Sequence, residues 1–304
     1  MASDPASIGT RPPATAAARP FTVPPAVRAV FRLLELAAPA LGARWAARLW
    51  MTLPKPRPRS RPLDRGTPFD VPVGAGTVAG QVWGEGPPVY LLHGWAGSGD
   101  QLAGFTGALV ARGYRVVAFD APSHGRSVPG RHGPRSSSIP EFVDALTAVV
   151  AVHGTPHAVI AHSMGAIATA AAVHTGLTAN RLVLLAPMPS PLIQARQLAT
   201  ALGFGARTHR RLIARVERRV GARMDRFDMS AFGRAGAMPP TLLVHDRDDR
   251  YAPFDCTATI AATWPGSMLR VTTGLGHLRL LDAPDVVARA VTFVAGVEDT
   301  GTAW

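Results

Sequence analysis

Ala158-Val159-Ile160-Ala161-His162-Ser163-Met164-Gly165-Ala166-Ile167-Ala168 joins an apolar run to a train of small residues, with a serine at the seam. Residues Ala158 to Ala161 have the composition of a strand buried on both faces, and Met164 to Thr175 suit a helix. A strand that becomes a helix through one residue makes a sharp, strained turn. Small neighbours avoid clashes there, and the serine hydroxyl is lifted above the sheet. The first backbone N–H groups of the helix then lie free where negative charge would develop on a substrate. The pattern is the nucleophile elbow Gly-x-Ser-x-Gly, with Ala161 in place of the first glycine. Ser163 is the candidate nucleophile, set against the plainer alternative of a serine that merely falls at a strand-to-helix junction.

Outward from the elbow the chain alternates. Val89–Leu92, Val116–Phe119, Leu182–Ala186, Leu242–Val244 and Met268–Val271 are short apolar runs suited to buried parallel strands. Asp100–Arg112, Ile139–Val152 and Ala283–Val294 read as the helices between or after them, and Ser138 with Glu141 reads as a capping box. Phe69–Val73 and Val78–Trp83, separated by Gly74 and Gly76, read as a hairpin. Strand–helix alternation predicts a mostly parallel, eight-stranded, doubly wound α/β sheet.

Two motifs flank this pattern. His93-Gly94-Trp95-Ala96-Gly97 follows the strand Val89–Leu92, and Asp120-Ala121-Pro122-Ser123-His124-Gly125-Arg126-Ser127 follows the next one. With the elbow, these segments resemble the α/β-hydrolase superfamily, in its serine-nucleophile, esterase- and lipase-like branch. The resemblance spans residues 65–297. It implies that the backbone N–H groups of Trp95 and Met164 form an oxyanion hole, and it leaves His93, His124 and His162 as loop-orienting residues. A serine in the elbow argues against the family branches whose nucleophile is an aspartate.

The family order is nucleophile, acid, base, with the acid after a late strand and the histidine near the C-terminus. Thr241–His245 reads as such a strand, followed by Asp246-Arg247-Asp248-Asp249, and Gly274-Leu275-Gly276-His277 follows the last strand. His277 is the expected base. Asp249 best matches the family position for the acid, with Asp248 as the alternative, while Asp246 sits close to the strand end. A solvated acidic turn is the plainer reading of that cluster. No histidine–carboxylate spacing completes a metal shell, so neither metal nor other cofactor is expected.

Residues 188–238 break the alternation without a convincing strand, and about fifty residues is long for a connection, so this insertion is expected to be a small helical lid. Leu212, Ile213, Val216 and Val220 fall on one helical face among many arginines. The domain plan is a disordered tail over residues 1–22, N-terminal helices and a Pro/Arg linker over 23–64, a core over 65–187 and 239–297, and the lid. The helices Val27–Leu36 and Leu41–Leu53 are expected to pack on the main domain, with a basic membrane anchor as the other reading. Pro54 to Arg59 alternates proline with basic residues and predicts an extended linker.

Net charge is +12, yet Lys55 is the only lysine among 32 basic residues. That imbalance, with much Ala, Gly and Pro, reads as compositional bias, so no specific nucleic-acid partner is expected. The lone Cys256 excludes an internal disulfide framework and reads as a packing residue. Neither a secretory signal nor a spanning helix is legible, and a cytoplasmic location is the default expectation. The expected activity is hydrolysis of a carboxylic ester or thioester of a small acyl substrate through an acyl-serine. Carbon–carbon hydrolysis or perhydrolysis by the same triad is the alternative within enzymes, and a non-catalytic binding protein the alternative outside them. Nothing in the sequence speaks to oligomeric state.

Overall fold

The computed structural model describes residues 23–54, 66–236 and 238–297. The tail over 1–22 and, apart from Pro54 at its start, the Pro54–Arg59 linker lie outside the described residues.

Eight strands form one open sheet: β1 (Thr67–Val73), β2 (Gly76–Trp83), β3 (Pro88–Leu92), β4 (Arg115–Phe119), β5 (Ala158–His162), β6 (Arg181–Leu185), β7 (Thr241–Asp246) and β8 (Ser267–Thr272). The helices are α1 (Pro25–Ala37), α2 (Pro39–Met51), α3 (Ala103–Val110), α4 (Ile139–His153), α5 (Met164–His174), α6 (Pro191–Leu202), α7 (Ala206–Val220), α8 (Met229–Ala235), α9 (Phe254–Thr263), α10 (Gly276–Arg279) and α11 (Pro284–Val294). The strand order is β1-β2-β4-β3-β5-β6-β7-β8. β1 and β2 pair antiparallel, as does β2 with β4, and all later pairs are parallel. The expected doubly wound α/β-hydrolase sheet is therefore present.

Side chains alternate across this sheet as a strand's two-residue period requires. Tyr90 and Leu92 of β3, with Val159 and Ala161 of β5, meet Phe142 and Leu146 of α4 and the small residues of α5. Val89, Leu91 and Ile160 point the other way, onto Phe105 and Leu109 of α3 and Val291 and Val294 of α11. Both faces are covered, which is why β3, β5 and β6 read as continuous apolar runs.

The insertion is helical. It contains α6, α7, a 3₁₀ turn at Met224–Arg226 and α8. The N-terminal helices do pack, but chiefly on this insertion. Phe31 and Ala46 share an apolar cluster with Leu202, Phe204, Leu212 and Val216, and Phe31 stacks on Trp45 at 4.6 Å. Their tie to the core runs through Leu53, whose N–H donates to the Arg135 carbonyl and whose own carbonyl accepts from the Arg135 guanidinium. The expectation of packing on the main domain is corrected accordingly. The physical reason is that the apolar faces of α6 and α7 pair with those of α1 and α2, which are amphipathic in the same way.

The capping box also differs. Ser138 stands at the N-cap of α4, but its hydroxyl bonds the Glu141 carboxylate at 3.1 Å instead of a backbone N–H. Among the described residues, no helix is long and apolar enough to cross a membrane.

Candidate active site

β5 ends at His162, α5 begins at Met164, and Ser163 alone makes the turn with φ 51° and ψ −112°. A non-glycine residue at positive φ is strained, and such strain persists only where surroundings enforce it. Here the Ser163 N–H donates to the Leu185 carbonyl at 3.0 Å, and its carbonyl accepts from Ala166 and Met188, each at 3.1 Å. The need for small neighbours is visible in the spacing. A Cβ on Gly165 would lie 2.4 Å from the His93 carbonyl oxygen and 2.7 Å from that of Leu92. Position 161 is less demanding, since the Ala161 methyl is buried in the core facing α4 and α5.

His277 reaches Ser163 from the loop after β8, three strands from β5 in the sheet order. Its loop leaves β8 through Gly274 and Gly276, both at positive φ (80° and 65°), and α10 carries the imidazole inward. His277 Nε2 lies 3.1 Å from Ser163 Oγ, and His277 Nδ1 lies 2.7 Å from Asp249 Oδ2. With Nδ1–H donating to the carboxylate, Nε2 presents its lone pair to the serine hydroxyl. Asp249 is the acid that meets His277, whereas Asp248 is exposed and accepts from the Gly274 N–H at 2.8 Å.

Asp249 is held in place from several sides. Its Oδ1 accepts from the N–H groups of Tyr251 and Ala252 at 2.7 and 3.0 Å, and His245 Nε2 lies 3.2 Å from Oδ2. Burial acts to raise its pKa, but the hydrogen bonds from His245 and His277, the charge on His277 and the Ala252 N–H together hold it well below the usual carboxylate range. Asp246, fully buried, ties the two loops together. It accepts from the Thr272 hydroxyl at 2.7 Å, the Leu275 N–H at 3.0 Å and the Asp248 N–H at 2.9 Å.

The loop after β3 lies against the elbow. A Cβ on Gly94 would fall 2.9 Å from Ser163 Cβ and 2.9 Å from His162 Nδ1. Trp95 is the next residue of this loop, and Met164 is the first residue of α5. Three buried histidines shape this region. His93 Nε2 accepts from Ala121 N–H at 2.9 Å, and His124 Nε2 accepts from Ala96 N–H at 3.2 Å while Nδ1 donates to the Pro122 carbonyl at 3.0 Å. Burial, aided by His93, pushes the His124 pKa down to about 3. His162 is driven well below its ordinary value by burial and by nearby His277, and its Nε2–H donates to the His277 carbonyl at 3.0 Å. The His124 and His162 rings are therefore neutral at ordinary pH, and all three histidines bond the backbone of neighbouring loops.

Asp120 braces the same loop from the adjacent turn. Its Oδ1 accepts from Gly99 N–H at 2.7 Å and Oδ2 from Arg126 N–H at 2.8 Å. Gly125, at φ 48°, has no room for a side chain, because a Cβ there would stand 2.2 Å from the Asp120 carboxylate.

Sequence reasoning overlooked the second histidine on Asp249 and the tethering carboxylate of Asp246. It also missed Tyr251, whose ring centroid lies 5.2 Å from that of His277. The acidic cluster was a signal for the tether, but assigning its members needs the positions of the loops. Cys256, on α9, is half-buried as a packing residue would be. Among the described residues no group of three or more His, Cys, Asp or Glu side chains is arranged to hold a metal ion.

Comparison with known proteins agrees with the fold. The model of the alpha/beta hydrolase family matches residues 89–290. A non-heme haloperoxidase of Rhodococcus erythropolis is 32% identical over 114 residues, which span 37% of this chain and 41% of that protein. A non-heme chloroperoxidase of Kitasatospora aureofaciens is 25% identical over 239 residues, covering 64% of this chain and 86% of the relative. Among solved structures, an esterase from Exiguobacterium antarcticum superposes with a TM-score of 0.57 at 17% identity, covering 76% of this chain and 99% of the esterase. A family model that spans most of the sheet, the elbow and the loops at its end leaves one conclusion: the chain belongs to the alpha/beta hydrolase family of enzymes.

Proposed function

We propose that this chain is a serine hydrolase that cleaves a carboxylic ester or thioester through an acyl-serine intermediate. The observation that supports it most is the continuous contact line from Ser163 Oγ through His277 to Asp249, at 3.1 and 2.7 Å. In this reading His277 Nε2 takes the serine proton as Oγ attacks the acyl carbon, and the Asp249 carboxylate stabilises the imidazolium that forms. The N–H groups of Trp95 and Met164 receive the charge on the acyl oxygen, and one such donor is worth about 3–4 kcal/mol in the transition state. The imidazolium then protonates the leaving alcohol or thiol. Water, deprotonated by His277, finally releases the acid and restores Ser163.

Residues 188–238 act as the lid over this site. Met188 starts the insertion with its N–H on the Ser163 carbonyl, and Gln194 of α6 donates to the Tyr251 carbonyl at 3.4 Å.

A second reading is favoured by the haloperoxidase relatives. If hydrogen peroxide replaces water in the second step, the acyl-enzyme yields a peracid and free Ser163, and the peracid is an oxidant for halide. The two outcomes share every residue named above and differ only in the second nucleophile.

Labelling with a fluorophosphonate probe tests the shared core. Wild type labels, whereas Ser163→Ala and His277→Ala do not. Folded wild-type protein that stays unlabelled while a small phenyl ester is also left intact removes the proposal. An ester and thioester panel, run with and without hydrogen peroxide, then separates hydrolysis from peracid formation.

A further inference from the structure

Helix α1 is apolar on two sides. Val27, Phe31 and Leu34 turn towards α2, α6 and α7. Ala26, Ala29, Val30, Leu33, Leu36 and Ala37 are all exposed, at the spacing of a single helical stripe. Leu33 is 65% and Leu36 75% exposed, and Leu41 at the start of α2 continues the patch at 58%. Leucines left open in this number on one small surface mark an interaction site.

The rim of the patch is basic. Arg28 and Arg32 place their Nε atoms 3.6 and 3.7 Å from where a Gly203 Cβ would stand, and the Arg207 guanidinium caps the carbonyls of Glu35 and Leu36. Arg44 and Arg48 are exposed on α2, and Arg211, Arg215 and Arg218 of α7 line a 220 Å³ cavity with Ala40 and Ala43. Compositional bias explains the choice of arginine over lysine, but not this local balance. Helices α1, α2 and α7 carry ten arginines and two acids, against 32 basic and 20 acidic residues in the whole chain. Both acids are already engaged: Glu35 accepts from the N–H groups of Arg207 and Thr208, and Glu217 from that of Met224.

We propose that this face docks on the surface of an anionic lipid bilayer. The leucines enter the boundary between headgroups and acyl chains, and the arginines meet lipid phosphates, as a peripheral helix does without spanning. Charge complementarity selects this occupant over the others. A second copy of the chain would set the arginines of α1 and α2 against their own kind, and a nucleic acid has no use for a stripe of leucine and valine. The inference stands on the outer face of α1 and α2 and does not depend on the hydrolase chemistry at Ser163.

Sedimentation of the full chain with vesicles tests it. Wild type pellets with phosphatidylcholine vesicles containing about one-third phosphatidylglycerol, stays in solution with phosphatidylcholine alone, and is released as salt rises from about 0.1 M to about 1 M. The paired variant Leu33→Gln/Leu36→Gln, altered only at exposed positions, keeps its thermal transition and loses binding by at least about tenfold. Arg44→Glu/Arg48→Glu does the same. The proposal is overturned if wild type ignores anionic vesicles, or if the leucine variant binds as wild type does, which would assign the attraction to other basic segments. It is equally overturned if light scattering finds a wild-type dimer that the leucine variant dissolves, because the stripe would then be a subunit interface.

Discussion

Asp246, Asp248 and Asp249 lie within four positions of one another, and the fold gives each different partners. Asp249 meets His277, Asp246 holds the loop that carries His277, and Asp248 fixes Gly274 at that loop's start. The histidines divide in a similar way. His277 faces Ser163, whereas His124 and His162 are buried neutral and hold the backbone of neighbouring loops. This neutrality has a cost in acid. The unfolded chain protonates these rings below their ordinary value of 6.5, whereas folded His124 resists until about pH 3, so the unfolded state binds more protons in that window. Stability is therefore whole above pH 6.5 and falls as pH drops towards 3, with a slope of about 1.4 kcal/mol per pH unit for His124 alone. Urea unfolding followed from neutral pH to about pH 4 checks this. His124→Asn is expected to be less stable at neutral pH and to lose stability more slowly on acidification; parallel curves for the two proteins would sink the account.

At the scale of elements, the strand–turn–helix from β5 to α5 explains why the candidate site could be located from the sequence. Its demands are local: a buried strand, one strained residue, and small residues where two backbones meet. Gly165 shows how strict the last demand is, because its missing Cβ would contact two carbonyl oxygens of β3 and the following loop, neither of which can rotate away. Gly165→Ala is expected to cost about 1–3 kcal/mol through overpacking. Because the displaced backbone is that of His93, activity should fall more than stability alone explains. Thermal unfolding set beside ester turnover at a temperature where both proteins are folded reads the two effects; unchanged turnover would show that the His93–Trp95 loop tolerates the shift. The strands and the helices α4, α5 and α11 were legible for the same local reason, since each carries its period in a short window. Helix α9 was not, because Phe254–Thr263 has only a weakly one-sided apolar pattern and buries Thr257 and Ile260 through tertiary contacts. The hydroxyl of Ser138 departs from the capping-box rule because the Glu141 carboxylate, a stronger acceptor that sits three residues on, accepts its hydrogen bond.

For the molecule as a whole, the question is how the helical layer belongs to the sheet. The amphipathicity of α1 was readable, but its partner was not, because Leu212 and Val216 of α7 lie far along the chain and offered an equally unassigned apolar face. Pairing two such faces needs the topology, not the period. The result is an apolar cluster around Phe31 that shares no buried residue with the two clusters flanking the sheet. Separate clusters open separately when few contacts cross between them, so amide exchange should reveal α1, α2, α6 and α7 exchanging together at a lower free energy than β3, β5 and β6. Phe31 is fully buried and stacked on Trp45, and Phe31→Ala is expected to remove about 3–5 kcal/mol from this layer. Exchange in the four helices then accelerates by a factor of at least about a hundred, while the central strands keep their protection. If the strands lose protection to the same degree, the layer and the sheet form one cooperative unit. The hydrogen bonds of Leu53 with Arg135, Gln194 with Tyr251 and Arg219 with His132 would then be a stronger seam than their number indicates.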